Sequence, residues 1–324
     1  MKKIGKKICC IIVIAIGIVA LLIFLSTIPV LTPVIDMITN SVTYQGMGED
    51  ETLGLLKKVK ESGGKNKLII GDSVAGQLYT YRDNEEYCAM PGNMAMSPIW
   101  QYVYVRDYLE INPTATDVYL CMTADGLEYS FETKLSYSYL LIPLAESNNM
   151  NVLEEEQKEL LDSMYGSAFV KPEVISFIGK SGLNTKLYLN AIDKFYEIFP
   201  DRKERVEKKN NVDCVLAETY IMKMYELCQV NNVKLHLIPN PKKDTPECRE
   251  YLEQLEAKYE QSPLYQINPE YFEQIVFYPK ECFKDELHFT DEFLEDGGKL
   301  EIIKEVQKST GELQGLFQVT FSKK

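Results

Sequence analysis

Residues 67–76, KLIIGDSVAG, join a short apolar run to a glycine-flanked serine. An apolar run of this length that ends in glycine is typical of a strand buried on both faces of a parallel sheet. A serine just past a strand end, at the start of a helix, is exposed by the tight turn, and the first helical turn offers free N–H groups. The segment predicts a nucleophile at Ser73, with a simpler alternative in which Asp72 or Ser73 only caps the helix.

The same alternation of short apolar runs and helical patterns continues along the chain, and it predicts an α/β fold with a parallel sheet. In such sheets, ligands bind at the carboxyl ends of the strands. A Tyr-rich and then strongly charged segment, residues 126–212, interrupts the alternation and is interpreted as a helical insertion. The predicted strands are 67–71, 87–90 (weak), 117–122 and 233–239, and the predicted helices are 49–62, 97–111 and 213–231.

The N-terminus contains an uninterrupted apolar run from Ile8 to Leu25. As a helix, its ~18 residues span roughly 27 Å, close to the hydrocarbon thickness of a bilayer. A buried core helix is rarely free of charge over this length, and a cleaved signal peptide needs a small-residue cleavage site that the following STIPVLTPV lacks. The run therefore predicts an uncleaved transmembrane signal anchor.

Four lysines within the first seven residues favour a cytoplasmic N-terminus, which places the rest of the chain outside the cytoplasm. The predicted organisation is a cytoplasmic tip and anchor over 1–31, a juxtamembrane linker with a short helix over 32–65, and one domain over 66–324 with its insertion at about 126–212. The predicted location is the cell membrane, with a single pass and an extracytoplasmic main domain.

The charge balance of the outer part argues against a nucleic-acid partner. From residue 41 onward there are 31 Lys and Arg against 47 Asp and Glu, a surface that repels phosphate. The six cysteines beyond the apolar run show no CxxC or CxxH spacing, so a zinc site is unsupported and their redox state stays open. We expect no metal and no cofactor.

The chain contains only two histidines, so any imidazole chemistry must use His236 or His288. His288 is preceded at three residues by Asp285, close enough for the carboxylate to accept from one ring nitrogen while the other takes a proton from Ser73. His236 alternates with leucines inside a predicted strand and is interpreted as a structural residue.

The combination of Gly71-Asp72-Ser73 near the start of the domain and Asp285-x-x-His288 near its end resembles the SGNH (GDSL-type) hydrolase superfamily. The resemblance covers residues 66–290 without the insertion. It implies a flavodoxin-like three-layer α/β/α fold and activity as an esterase, lipase or O-acyltransferase. By resemblance, Ser73 is the catalytic nucleophile, His288 the general base and Asp285 its partner.

The two other motifs of this superfamily, which supply oxyanion donors, match less well. Asn93 and Ala95 lie where the second motif is expected, with alanine in place of the usual glycine, so a backbone N–H is retained. Ala124 stands where the third motif has an asparagine, and an alanine side chain cannot donate. Together with Gly71 and Asp72, Asn93 and Ala95 are the predicted oxyanion or site-lining residues.

One anchor, an outward domain and partial motifs are similar to membrane-tethered SGNH-like proteins of cell-envelope polymer O-acylation. This similarity implies an acyl-Ser73 intermediate and hydrolysis or transfer of acyl esters on cell-envelope carbohydrate. Its partners would be the membrane, an acylated glycan or polysaccharide, and a multi-spanning membrane acyltransferase. The alternative is a non-catalytic protein that binds a glycan or a partner on the same fold, which the alanine at position 124 favours.

Overall fold

A computed structural model of the chain describes residues 47–80, 84–92, 97–128, 131, 136–165, 216–314 and 316. Its centre is a parallel sheet of four strands in the order β2-β1-β3-β4, which confirms the predicted α/β class. The strands of this sheet are β1 (Lys67–Gly71), β2 (Tyr87–Ala89), β3 (Asp117–Met122) and β4 (Lys234–Pro239).

Helices cover both faces of the sheet, which explains why its strands are apolar along their length. Helices α2 (Ser73–Tyr79) and α9 (Lys299–Thr310) lie on one face, and α3 (Ser97–Ile111) and α6 (Leu216–Val230) pack against each other on the other. Two further two-residue strands, β5 (Lys242–Lys243) and β6 (Phe277–Tyr278), pair with each other in parallel. Three more helices are α1 (Met47–Lys60), α7 (Pro246–Tyr259) and the short α8 (Asp291–Phe293).

The strand register explains which residues meet each helical layer. Ile69 is aligned with Tyr119, and Tyr119 with His236, so these three side chains share the α2 and α9 face. Their neighbours Leu68 and Ile70 point to the opposite face, and both are fully buried. The apolar runs recognised in the sequence are therefore core strands covered on two sides.

The chain divides into two compact units, one formed by residues 54–130 and 213–324, and the other by residues 1–53 and 131–212. The sheet belongs to the first unit. In the second unit, the described residues include a π-type turn, Ser136–Leu141, followed by helix α4 (Ile142–Glu146), and then helix α5 (Glu155–Tyr165). These elements are helical. The predicted bounds of the insertion, the linker and the anchor remain predictions.

The predicted membrane anchor, Ile8 to Leu25, lies outside the described residues. Among the residues that are described, no helix is both long enough and apolar enough to cross a bilayer.

Candidate active site

Ser73 lies where the sequence predicts it, as the first residue of α2, directly after β1 and Asp72. Asp72 is the N-cap, and its Oδ1 accepts from the backbone N–H groups of Val74 and Ala75 at 3.0 Å each. Because Asp72 takes the capping task, the hydroxyl of Ser73 is left to make another contact. The capping alternative is thus correct for Asp72 and does not account for Ser73.

Gly71 allows β1 to approach β3 closely at the carboxyl ends of the two strands. A Cβ atom added at Gly71 would lie 1.9 Å from the carbonyl oxygen of Cys121 and 2.7 Å from the Cβ of Ala75. The same carbonyl accepts the N–H of Asp72 at 3.2 Å, so the chain enters the turn to Ser73 pinned against β3. A residue with a side chain cannot occupy this position without moving backbone.

The structure brings Ser73, His288 and Asp285 together in one hydrogen-bonded series. Ser73 Oγ lies 2.8 Å from His288 Nε2. On the other side of the ring, His288 Nδ1 lies 2.9 Å from Asp285 Oδ2 and 3.1 Å from Oδ1. With a proton on Nδ1 that donates to the carboxylate, Nε2 is the acceptor for the Ser73 O–H, as nucleophile activation requires.

A short loop holds the imidazole through main-chain contacts. The N–H of Lys284 donates to the carbonyl of His288 at 2.9 Å, and the N–H of Thr290 donates to the carbonyl of Cys282 at 2.8 Å. Phe289, next to His288, is fully buried and stacks on Phe283 with ring centroids 4.4 Å apart. The loop is therefore anchored in the core on the α2 and α9 face immediately beside the ring that it presents.

Asp285 keeps its charge in an exposed position. Burial is the largest single influence on its pKa and opposes ionisation, but hydrogen bonds from the N–H groups of His288 and Leu287 and from the His288 ring together outweigh it and lower the pKa of Asp285 to about 2. Its side chain is 50% exposed and that of His288 is 28% exposed. The carboxylate is therefore available to orient the imidazole across the whole range of neutral and mildly acidic pH.

Asp72 is also the centre of a buried network that joins three strand ends. Besides the two helix N–H groups, its Oδ1 accepts from Asn240 Nδ2 at 2.8 Å, and its Oδ2 accepts from Thr123 N at 2.6 Å and Thr123 Oγ1 at 2.9 Å. Burial raises the pKa of the Asp72 carboxyl, and these donors oppose that rise. At 1% exposure, Asp72 supports the site from within the protein and does not line it.

The predicted oxyanion residues are only partly described. Asn93 and Ala95 lie outside the described residues, so their roles stay predictions. Ala124 is fully buried at the start of a short 3₁₀ helix, and its side chain carries no donor. Within the part of the chain that the structure describes, the N–H of Ser73 has no acceptor, which leaves it free for an oxyanion.

His236 is a structural residue, as expected from its place in a strand. It is buried, stacks on Tyr119 with centroids 4.5 Å apart, and contacts Asp117 Oδ1 at 2.8 Å and Glu312 Oε1 at 2.9 Å. It lies on β4, in register with Tyr119, whereas the serine follows the carboxyl end of β1. The two histidines therefore divide into one at the candidate site and one that links a strand to the C-terminal segment.

Three residues of this region were missed by the sequence analysis: Thr123, Asn240 and Gln77. Thr123 and Asn240 directly follow β3 and β4, and that position at the carboxyl ends of parallel strands was a usable signal. Gln77 contacts Phe289 from 212 residues away, a pairing for which the sequence holds no local signal. No group of three or more His, Cys, Asp or Glu residues in the described ranges is arranged to hold a metal ion.

Comparisons with known proteins give a limited result. No family model matches the chain, and no curated protein matches it. A solved structure described as "a putative platelet activating factor from Streptococcus pneumonia" is 10% identical in sequence, with 86% of this chain and 96% of that chain covered. Its TM-score is 0.31, which is too low to establish a common fold.

Proposed function

We propose that the chain is a serine esterase or O-acyltransferase of the SGNH type. The observation that carries the proposal is the series from Ser73 Oγ to His288 Nε2, 2.8 Å, and from His288 Nδ1 to Asp285 Oδ2, 2.9 Å. The serine is at the first position of a helix, and the aspartate and histidine come from a single loop 215 residues later. This arrangement matches the requirements for nucleophilic acyl transfer.

The mechanism follows from these contacts. Ser73 Oγ attacks the carbonyl carbon of an acyl ester as its proton passes to His288 Nε2, and Asp285 stabilises the imidazolium that forms. Collapse of the tetrahedral intermediate expels the alcohol, which takes the proton from Nε2, and leaves acyl-Ser73. His288 Nε2 then takes a proton from the acceptor as the acceptor attacks the acyl carbon. When the bond between that carbon and Ser73 Oγ breaks, the proton passes from Nε2 to Oγ and restores the serine. Water as acceptor makes the protein an esterase, and a sugar hydroxyl makes it an O-acyltransferase.

The oxyanion would form beside the first turn of α2. The free N–H of Ser73 is one donor, and we assign the second to the N–H of Ala95 or to the side chain of Asn93, as the superfamily resemblance suggests. Removal of one such donor typically lowers a rate by ~100- to 1,000-fold. Because the side chain of Ala124 supplies no donor, we expect turnover slower than that of an esterase with all donors in place.

The sheet topology supports the finer fold assignment that we propose, a flavodoxin-like α/β/α domain. The order β2-β1-β3-β4 corresponds to the first four strands of the flavodoxin-like order. In that order, β2 lies on one side of β1 and β3 lies on the other, and ligands bind in the crevice between the ends of β1 and β3. Ser73 follows β1 and Thr123 follows β3, so the candidate site lies at this switch point.

We further propose that the domain is anchored in the cell membrane by residues 8–25 and acts outside the cytoplasm on acylated envelope carbohydrate, together with a multi-spanning acyltransferase. The support is the charge-free apolar run behind four lysines. Alkaline carbonate should fail to extract the full-length protein from membranes. Easy extraction, or a trimmed N-terminus, would refute the anchor. A neighbouring gene for a multi-spanning acyltransferase would support transfer.

The enzymatic proposal is tested with a fluorophosphonate probe on the full-length protein in detergent. We expect labelling of the wild type, loss of labelling in Ser73→Ala, and retained labelling in the matched control Ser262→Ala, whose hydroxyl instead donates to Glu218 at 2.9 Å. Absence of labelling in the wild type, together with no hydrolysis of p-nitrophenyl acetate, would refute the enzyme.

A second candidate function is non-catalytic binding of a glycan or a partner protein. It is favoured by the third-motif region, where Ala124 has no donor and both donors of Thr123 are already used by Asp72. This function predicts binding of envelope glycan that is unchanged in Ser73→Ala, with no covalent adduct from either probe.

A further inference from the structure

Gln77 connects the helix of the nucleophile to the loop of the base. Its Nε2 donates to the carbonyl of Phe289 at 3.0 Å, and the N–H of Phe289 donates to its Oε1 at 3.1 Å. The side-chain amide therefore satisfies both main-chain groups of one residue, as a neighbouring strand would. Phe289 directly follows His288, so this clamp acts one peptide unit from the imidazole.

Ser73 and Gln77 are four residues apart on α2, a spacing that places both on the same face of the helix. One face thus presents the nucleophile to the ring of His288 and, one turn later, fixes the main chain that carries that ring. Gln77 thereby adds two hydrogen bonds between α2 and this loop to the main-chain and aromatic contacts that also hold the loop.

The base and its partner are partly exposed, so a main-chain clamp beside them adds restraint that side-chain burial does not supply. The side chains of His288 and Asp285 are only partly buried, so their own packing restrains the ring weakly. The buried neighbour Phe289 belongs to the apolar cluster that also contains Val74 and Leu78 of α2. Gln77 adds to that packing a directional, hydrogen-bonded link between the same loop and helix.

We propose that Gln77 is a positioning residue that holds His288 at the distance and angle needed to accept the proton of Ser73. The catalytic purpose of this positioning rests on the proposed acyl-transfer function. A misplacement of about 1 Å in a catalytic constellation costs on the order of 100-fold in rate. We therefore expect Gln77→Leu to slow acylation of Ser73 by about 10- to 100-fold.

The experiment compares full-length wild type, Gln77→Leu and the matched control Gln307→Leu. Gln307 is also a half-buried helical glutamine that donates to a main-chain carbonyl, that of Leu313 at 2.7 Å, but it does not contact the loop of His288. Five quantities are measured: the rate constant of fluorophosphonate labelling, kcat and KM for p-nitrophenyl acetate, the proton NMR resonance of His288 Nδ1–H, and the rate of amide exchange at Phe289.

The proposal predicts that Gln77→Leu lowers the labelling rate and kcat with little change in KM, moves or broadens the Nδ1–H resonance, and speeds exchange of the Phe289 amide. Gln307→Leu should leave all of these unchanged even where it lowers Tm. An unaltered rate and resonance in Gln77→Leu, or an equal loss in Gln307→Leu, would overturn it.

Two other outcomes separate failure of the positioning role from failure of the proposed function and from failure to fold. If the wild type is not labelled, the proposed function fails, and the resonance and amide exchange alone decide whether Gln77 positions His288. If Gln77→Leu does not fold, Gln77→Glu replaces it, because that variant keeps an acceptor for Phe289 N–H, removes the donor to the Phe289 carbonyl and places a carboxylate oxygen against that carbonyl. A normal resonance and normal exchange in Gln77→Glu would then contradict the proposal.

Discussion

Replacement of Asp72 by asparagine separates the two tasks of this side chain. Asparagine caps helices as well as aspartate does, so its oxygen can still accept from Val74 and Ala75. Its amide nitrogen then takes the place of Oδ2, which accepts from both the N–H and the hydroxyl of Thr123. The hydroxyl can turn to become an acceptor, but the N–H cannot, so one buried donor is left without a partner.

The expected magnitude follows from these contacts. An unpaired buried donor costs about 1–3 kcal/mol, and loss of the charge from the remaining bonds adds to it, so Asp72→Asn should lower the free energy of unfolding by about 2–4 kcal/mol. If the amide turns over, it faces the helix N–H groups and Asn240 instead, and the loss is no smaller.

Urea unfolding followed by fluorescence measures this change, because the one tryptophan of the chain, Trp100, is fully buried. Thr123→Val is the matched control: it removes the hydroxyl and keeps the N–H, and we expect a loss of about 1 kcal/mol. A stability of Asp72→Asn within 0.5 kcal/mol of wild type would show that the Thr123 contacts are not formed, and the network described here would be refuted.

Three other substitutions test separate parts of the structure. Gly71→Ala should prevent stable folding or lower the free energy of unfolding by several kcal/mol, because a Cβ has no room there. Gly76→Ala, at an open helix position, should be neutral or stabilising by up to ~1 kcal/mol. Equal thermal unfolding temperatures for the two variants would contradict this. His236→Phe should lower stability by about 1–3 kcal/mol in urea and leave labelling of Ser73 intact, and lost labelling at native stability would reassign this histidine to the site. Asp285→Ala should lower the labelling rate by about 100- to 10,000-fold. The lowered pKa of Asp285, about 2, keeps the carboxylate ionised until the pH falls well below 4, so the labelling rate of the wild type should show no step from this carboxyl above pH 4.

The sheet was predictable because burial on two faces leaves a strong signal in sequence. Residues 67–71 and 117–122 were predicted with the bounds that the structure gives them, and helix 97–111 likewise. The predicted helix 213–231 is described from Leu216 to Val230. These elements carry continuous apolar runs or long helical patterns, for which local sequence and tertiary burial agree.

Helices α7 and α9 were not predicted, because their apolar residues form narrow stripes within highly charged segments. In α7 the buried side chains are Leu252, Leu255 and Tyr259, and in α9 they are Ile302, Ile303 and Val306. The short strands β5 and β6 have two residues each, which is too short for any periodic pattern.

The three residues proposed for chemistry were predictable since each belongs to a motif with fixed local spacing. Their supports were not, because Gln77, Thr123 and Asn240 act through contacts with residues 51 to 212 positions away. A hydrogen bond from an uncharged side chain to a distant partner imposes no composition or period on the surrounding sequence. Positioning residues of this kind become visible only once the chain is folded.

Acylation of Ser73 with His288 as the base can be observed by trapping the acyl-enzyme intermediate. Full-length protein is mixed with p-nitrophenyl acetate, quenched in acid within one turnover, and mapped by mass spectrometry of its peptides. We expect an acetyl ester on the peptide that contains Ser73, absent in Ser73→Ala and strongly reduced in His288→Gln. No acetyl ester in the wild type, or an adduct that persists in Ser73→Ala, would contradict it.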